Sequence, residues 1–430
     1  MSFDAPNTSR QRIAIVGGGI SGLAAAYLLA PQHDVTLYEA EPRLGGHART
    51  VTAGVNGDQP VDTGFIVFNY VNYPHLTAMF DDLDVPVEKS EMSFGATIDN
   101  GSVEYGLRTL GAILGQRRNL VRPGFLAMIR DILKFNAMAE RVAQSDDVTI
   151  GEMVDELQLG KWFQRYYLMP ISGAIWSTPP DEVRSFPART LVQFFKNHSL
   201  LSARKQHQWY TVSGGSIEYV KRLETRLRLN GVTFRLGAPV QNVKRDTVGV
   251  TIKTAEYGAE HFDQVILASH SDDTLRMLEN PTAAEQAALS NINYQDNQMI
   301  LHRDERQMPR RRACWSSWVY KAEGDQDQAA IGVTYWMNQL QNIPQNDPLF
   351  ISLNPVSPVR DELIYDQKTF RHPVFDRAAL AAQSRIAGIQ GQNNTWFAGA
   401  YLRHGFHEDG FYSAVRVAEL LNTQSVKIAA

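Results

Sequence analysis

Apolar positions along the chain follow two rhythms, and the points where one gives way to the other mark the elements. Ile13-Ala14-Ile15-Val16 is a short apolar run that stops at Gly17-Gly18-Gly19, after which Leu23-Ala24-Ala25-Ala26 continues as a small-residue helical pattern. Val35 to Tyr38 is a second apolar run, so the beginning of the chain predicts strand, turn, helix and strand. Phe262 to Ala268 reads as a strand of the same sheet, buried on both faces, and Thr395 to Ala400 as a last short one. Gly405-Phe406-His407-Glu408-Asp409-Gly410 then opens a helix that runs through Ala418.

Helical spacing governs Val103 to Arg141, Thr149 to Leu159 and residues 217–229. Thr149 stands three residues before Glu152, the spacing of a capping box. Strand alternation governs Val232 to Ile252 and returns near Met299-Ile300-Leu301 and from Ala329 to Tyr335, while Val61 to Asn69 predicts a strand entering a turn at Gly64. Residues 10–95, 209–270 and 391–424 are expected to assemble one Rossmann-type α/β domain. A helical insertion (96–208) and a sheet-forming one (271–390) complete an α+β substrate domain. There is no internal repeat and no low-complexity stretch.

The first turn carries chemistry. Gly17-x-Gly19-x-x-Gly22 gives a tight turn at Gly17, close approach of backbone to a pyrophosphate at Gly19, and close helix packing at Gly22. The pyrophosphate would sit on the free N–H groups of the helix that starts near Gly19, beside Ile20 and Ser21. Glu39 follows Gly17 by 22 residues, where a carboxylate accepts from a ribose 2′-hydroxyl and repels a 2′-phosphate. Ala40 and Val240 are further candidate contacts. Just past the acid come Arg43, Gly45, Gly46, His47 and Arg49, a stretch that an NAD domain does not need but that the longer FAD molecule does. Thr63, Gly64, Phe65 and Ile66 read either as a plain strand turn or, in a flavoprotein of this layout, as the stretch that runs beneath the flavin ring, where a small residue is required. Near the end of the chain, Gly399, His407, Glu408 and Asp409 complete the candidate set, with a helix N-terminus aimed at the ring edge where reduction places negative charge.

Composition narrows the partners. With 42 basic and 46 acidic residues the net charge is −4, which argues against nucleic acid. One cysteine, Cys314, excludes an internal disulfide framework and a multi-cysteine metal site, and fits a reducing compartment. No metal is expected. There is no signal-like N-terminus and no apolar run long enough to span a bilayer, so the expected location is cytoplasmic. Residues 101–142 nevertheless hold seven basic and three acidic side chains among aliphatics. That segment reads either as a core-facing helix with a solvated basic face or as a cap resting on an anionic lipid surface, peripheral to the inner face of the cytoplasmic membrane.

On Gly17-x-Gly19-x-x-Gly22, Glu39, Arg43-x-Gly45-Gly46-x-x-Arg49-Thr50 and the Gly399 to Gly410 segment, the chain resembles the flavin-containing amine oxidoreductase superfamily. More closely, it is similar to bacterial predicted NAD/FAD-binding proteins associated with cyclopropane and furan fatty acid synthesis genes. Gly46 to Thr50, Asp62 to Asn69, Ala174 to Thr178, Gly214 to Ser216, Leu353 to Pro355, His372 to Asp376 and Gly405 to Gly410 carry that likeness. The resemblance implies an amine-oxidase-like architecture, FAD, and a fatty acyl substrate on a phospholipid. A fatty acid methyltransferase is the implied partner. Two departures from the amine oxidases stand out. Asp296 to His302 lacks their active-site lysine, and one of their cage tyrosines would fall near Phe406. Cys314 is outside any context for a covalent link, so the FAD is expected to be non-covalent.

With a single glycine fingerprint, no second nucleotide domain brings electrons from NAD(P)H, so hydride should come from an organic substrate. His407, Glu408 and His302 are the candidate bases. Three readings follow. One is a flavin-dependent acyl-chain desaturase, the second an amine oxidase, and the third a non-catalytic flavoprotein that presents lipid to the methyltransferase.

Overall fold

The computed structural model describes residues 10–145, 147–176, 183–197, 207–324 and 330–429, with no side chains described at 173–176, 197, 330 or 424–429. Ser177 and Thr178, at the end of one resemblance segment, fall outside the described residues.

Two sheets organise the molecule. The first is parallel, with strands in the order Thr395–Phe397, Gln264–Leu267, Arg12–Val16, Asp34–Glu39 and Thr233–Leu236. Its register sets Ile15 against Ile266 on one side and Leu37 on the other, and Ile266 against Trp396, so segments from both ends of the chain share one sheet with a single strand between them. Buried on both faces, these strands need the continuous apolar runs that the sequence supplies. The Ile20–Leu29 helix is apolar all round, with Leu23, Ala24, Ala25 and Ala26 fully buried, and it shares one core with Ala414, Val417 and Leu421 of the closing His407–Ala429 helix. A three-stranded antiparallel meander spans Val240 to Phe262.

The second sheet has seven strands in the order Ile364–Pro373, Tyr294–His302, Phe350–Leu353, Ala330–Trp336, Trp318–Glu323, Phe94–Ile98 and Val103–Gly106. All neighbours are antiparallel except Trp318–Glu323 and Phe94–Ile98. The expectation of helix from Val103 is therefore corrected. Residues 103–106 pair with 95–98 as an edge strand, and the helical part begins at Leu110, with its main body at Pro123–Val142. That helix buries Phe125, Met128, Ile132 and Phe135 against Phe163, Tyr167 and Phe195, so these aromatic residues belong to a core. Thr149 does close a capping box with Glu152.

Candidate flavin site

A cavity of about 900 Å³ opens where the two sheets face each other, with the first glycine turn at one end. Gly17 has φ of +111°, and a Cβ there would stand 2.7 Å from the Ala268 carbonyl oxygen; at Gly22 it would stand 1.8 Å from the carbonyl oxygen of Gly17. Strand, turn and helix thus touch through backbone alone. No side chain caps the helix that begins at Ile20, which leaves its first N–H groups for a ligand. Glu39 fixes the turn, accepting from the Gly18 N–H at 2.6 Å and the Glu41 N–H at 2.8 Å.

The closing segment meets the same turn. A Cβ on Gly410 would lie 2.8 Å from both Ile20 Cγ2 and Ser21 Oγ, so the two helix beginnings are in contact. Gly399 and Gly405 line the cavity with Ala400 and Tyr401.

Of the residues expected at the site, Gly17, Gly19, Ile20, Ser21, Glu39, Ala40, Arg43, Gly46, His47, Thr63, Gly64, Phe65, Ile66, Val240, Gly399 and His407 line the cavity. Others are placed elsewhere, and Arg43, though at the wall, is already engaged. Gly22 and Gly45 act from behind, Gly22 through its packing and Gly45 by donating its N–H to the Gly18 carbonyl at 2.9 Å. Arg43 spends its guanidinium on the carbonyl oxygens of Leu44, Gly46 and Ala48 and on Glu41, so it holds the glycine loop. Arg49 is bound to Asp366 at 2.5 Å and to Thr63 Oγ1. Asp409 accepts the Phe406 N–H at 3.0 Å and faces Arg403.

Two of the three candidate bases lie outside the cavity. Glu408 is buried and accepts the backbone N–H groups of His75 and Leu76, each at 3.0 Å, and lies 2.6 Å from the His75 ring. It caps the Pro74–Asp82 helix. His302 is fully buried in the second sheet, its ring held between Ser352 Oγ at 2.8 Å and the Asp304 N–H at 3.0 Å, and burial pushes it down to about 4.

His407 stays at the cavity wall. Its ring stacks on Phe65 at 4.0 Å and its Nε2 lies 2.6 Å from Tyr219 Oη. Desolvation pushes its pKa down to about 3, so the imidazole is neutral at neutral pH.

The sequence reading missed the wall supplied by residues 270–372. His47, His270 and His372 converge, with ring centroids 6.2 Å and 5.5 Å from His47, and burial lowers all three. Asn354 Nδ2 donates to Asn297 Oδ1 at 2.7 Å, which turns Asn297 Nδ2 towards His372 Nδ1 at 2.9 Å. That network assigns the neutral His372 proton to Nε2 and makes the ring a donor. Asp296 to His302 holds no lysine; on the adjoining strand Lys368, paired in register with Met299, lines the cavity with its ammonium bound to Glu41 at 2.5 Å. The alternation Phe370-x-His372 at the end of a strand was the available signal.

The cavity is polar at one end only. Its charged side chains, Glu39, Glu41, Arg43, Asp273, Arg276, Lys368 and Arg371, belong to the end near the glycine turn and the His270 loop. The wall from the middle strands of the second sheet is apolar, with Trp318 edge-on to Tyr335 at 5.1 Å and Ile351 and Leu353 beside them, while the charged Lys368 and Arg371 come from its edge strand, Ile364–Pro373. Among the cavity-lining residues, His47 Nε2 on the glycine loop, Trp318 Nε1 on the second sheet and Tyr401 Oη beside the last strand of the first are buried without a hydrogen-bond partner, as in a site shaped for a ligand with polar atoms. A long molecule with a charged pyrophosphate end and a flat heteroaromatic end fits this division, and the fold and site define a Rossmann-type FAD-binding flavoprotein.

The flavin containing amine oxidoreductase family model matches residues 20–313, and the chain belongs to that family. It is 24% identical over 286 residues to a carotenoid phi-ring synthase of Streptomyces griseus, a match covering 62% of this chain and 53% of that one. The chain thus spans about half the length of that relative. In fold it is similar to a CLA-producing fatty acid isomerase from P. acnes (15% identity, 97% of this chain and 99% of that one, TM-score 0.65). It is equally similar to the cyclohexylamine oxidase of Brevibacterium oxydans IH-35A (16% identity, 96% and 100%, TM-score 0.65). Among the described residues, no helix is long and apolar enough to cross a membrane.

Proposed function

We propose that the protein is an FAD-dependent oxidoreductase that removes hydride from an apolar substrate, a fatty acyl chain carried on a phospholipid. The observation that carries this reading is the cavity wall from Met92, Trp209, Trp318, Tyr335, Ile351 and Leu353, which holds no charged side chain. Such a wall accepts methylene groups and holds no counter-charge for a carboxylate or an ammonium. When bound, the flavin supplies the hydride acceptor for this chemistry. The backbone at Gly17 and Gly19 and the uncapped helix start would hold the pyrophosphate, and Glu39 fixes the turn beside it. His407, neutral by burial and hydrogen-bonded to Tyr219 at the cavity wall, is taken as the group that receives a substrate proton as hydride leaves the neighbouring carbon.

The fold is shared with a fatty acid isomerase and with an amine oxidase, so it supports either substrate class. The acyl reading is favoured because Lys368, the lysine near the expected place, is tied to Glu41 and Phe406 stands where a cage tyrosine is expected. Profiling the lipids of cells with and without the gene tests the reading. The expected result is an acyl species with two fewer hydrogens present only with the gene. Identical profiles would reject it.

A further inference from the structure

We propose that the surface formed by Leu110–Ile113, the 117–121 turn and the outer face of Pro123–Val142 docks on a bilayer bearing anionic phospholipids. Among the described residues thirteen large apolar side chains stand exposed, and six of them fall between residues 110 and 133. Leu110 is 77% exposed, Val121 81% and Leu133 63%. The Pro123–Val142 helix buries Phe125, Met128, Ile132 and Phe135, while Leu126, Arg130, Leu133 and Lys134 lie on its opposite side. This outer stripe thus sets two exposed leucines beside basic side chains, with Arg130 paired to the buried Asp131 and the exposed Glu140 near its end paired to Lys196, whereas a helix face built only to meet water would be polar throughout.

Positive charge surrounds the apolar residues. Gly115, just after the Leu110–Ile113 helix, lies so close to Cys314 that a Cβ would stand 2.8 Å from its sulfur, which brings the Arg310–Arg312 segment beside the patch. A notch of about 540 Å³ there is walled by Arg118, Arg310 and Arg311 and by the loop from Asp99 to Ser102. Arg118 donates to the carbonyl oxygens of Gly101 and Ser102, and Arg311 is paired with the buried Glu104 at 2.6 Å. Arg117, Lys134 and Arg310 have no carboxylate partner among the described residues. Donors without an anion, set beside exposed aliphatics, match a phosphate headgroup above acyl chains. A second copy of the chain is a poor occupant, because two-fold pairing of this surface would set guanidinium against guanidinium. The docking does not depend on the substrate assignment, since vesicle binding is read without turnover.

The test sediments the flavin-loaded protein with vesicles of phosphatidylcholine alone and of phosphatidylcholine mixed with phosphatidylglycerol. The expected result is binding to the mixed vesicles only, weakening as salt rises. Val121→Asp with Leu126→Asp should weaken that binding at least about tenfold. Arg117→Ser with Arg310→Ser should remove the preference for phosphatidylglycerol, and both variants should keep the flavin spectrum and melting temperature. Failure of the parent to bind mixed vesicles would overturn the proposal, as would variants that bind like the parent. A parent mass of two chains that Val121→Asp reduces to one would overturn it too, by assigning the patch to self-association.

Discussion

A single hydrogen at Gly22 Cα separates the first helix from the turn that precedes it. A methyl group there would stand 1.8 Å from the Gly17 carbonyl oxygen, and neither backbone can move without displacing Ala268 on the other side of Gly17. Gly22→Ala is expected to cost about 1–3 kcal/mol of stability and to yield protein without bound flavin, read by visible absorbance and thermal melting. His407 carries the proposed chemistry. His407→Phe keeps a ring against Phe65 but removes the base, so turnover should fall about 100-fold or more while the flavin stays bound. Unchanged turnover would move the base elsewhere. The tight turn at Gly17 was legible because its spacing sets its geometry, whereas the hold of Glu39 on the Gly18 and Glu41 N–H groups was not read from the sequence. Roles that need a distant strand were not legible either: Arg49 looked available for phosphate until Asp366 was seen bound to it, 317 positions away.

Among elements, the Pro74–Asp82 helix shows how a buried carboxylate can resemble catalytic machinery. Glu408 takes two of the helix's orphan N–H groups, work that needs its charge and its burial but no substrate. Glu408→Gln should lower stability by about 1–2 kcal/mol in denaturant melts and leave the rate per bound flavin unchanged. A lower rate with unchanged stability would contradict this. The capping box at Thr149 and the Ile217–Leu229 helix could be read directly, since neighbours in sequence decide both. Val103–Gly106 could not, because four residues are too few to show alternation and the partner strand, Phe94–Ile98, makes it a strand.

For the whole molecule, burial of histidines couples stability to pH. His270 and His302 are pushed down to about 4 and His407 to about 3, each by desolvation, while in the unfolded chain they titrate near their ordinary value. The unfolded state therefore binds more protons at mildly acidic pH. The stability held by these neutral rings is complete above about pH 6.5 and is lost as pH falls through the folded values. Asp62 runs the other way: burial raises it to about 6, so its contribution is present at low pH and is lost as pH rises through that value. Three histidines outweigh one carboxyl, and the melting temperature should fall steadily from pH 7 to about pH 4.5. A melting temperature that rises over that interval would contradict the burial of the rings. The assembly of the first sheet from both ends of the chain was legible from its apolar runs and two glycine turns. The second sheet's contribution to the cavity was not, since Trp318, Tyr335 and Phe370 look like any core aromatics until the fold brings them to one wall.

What the apolar end of that cavity receives decides the substrate class. Flavin-loaded protein mixed without oxygen with an unsaturated phospholipid should lose its oxidised-flavin absorbance, and a panel of primary and secondary amines should leave it intact. Bleaching by an amine, with none by any phospholipid, would contradict the account.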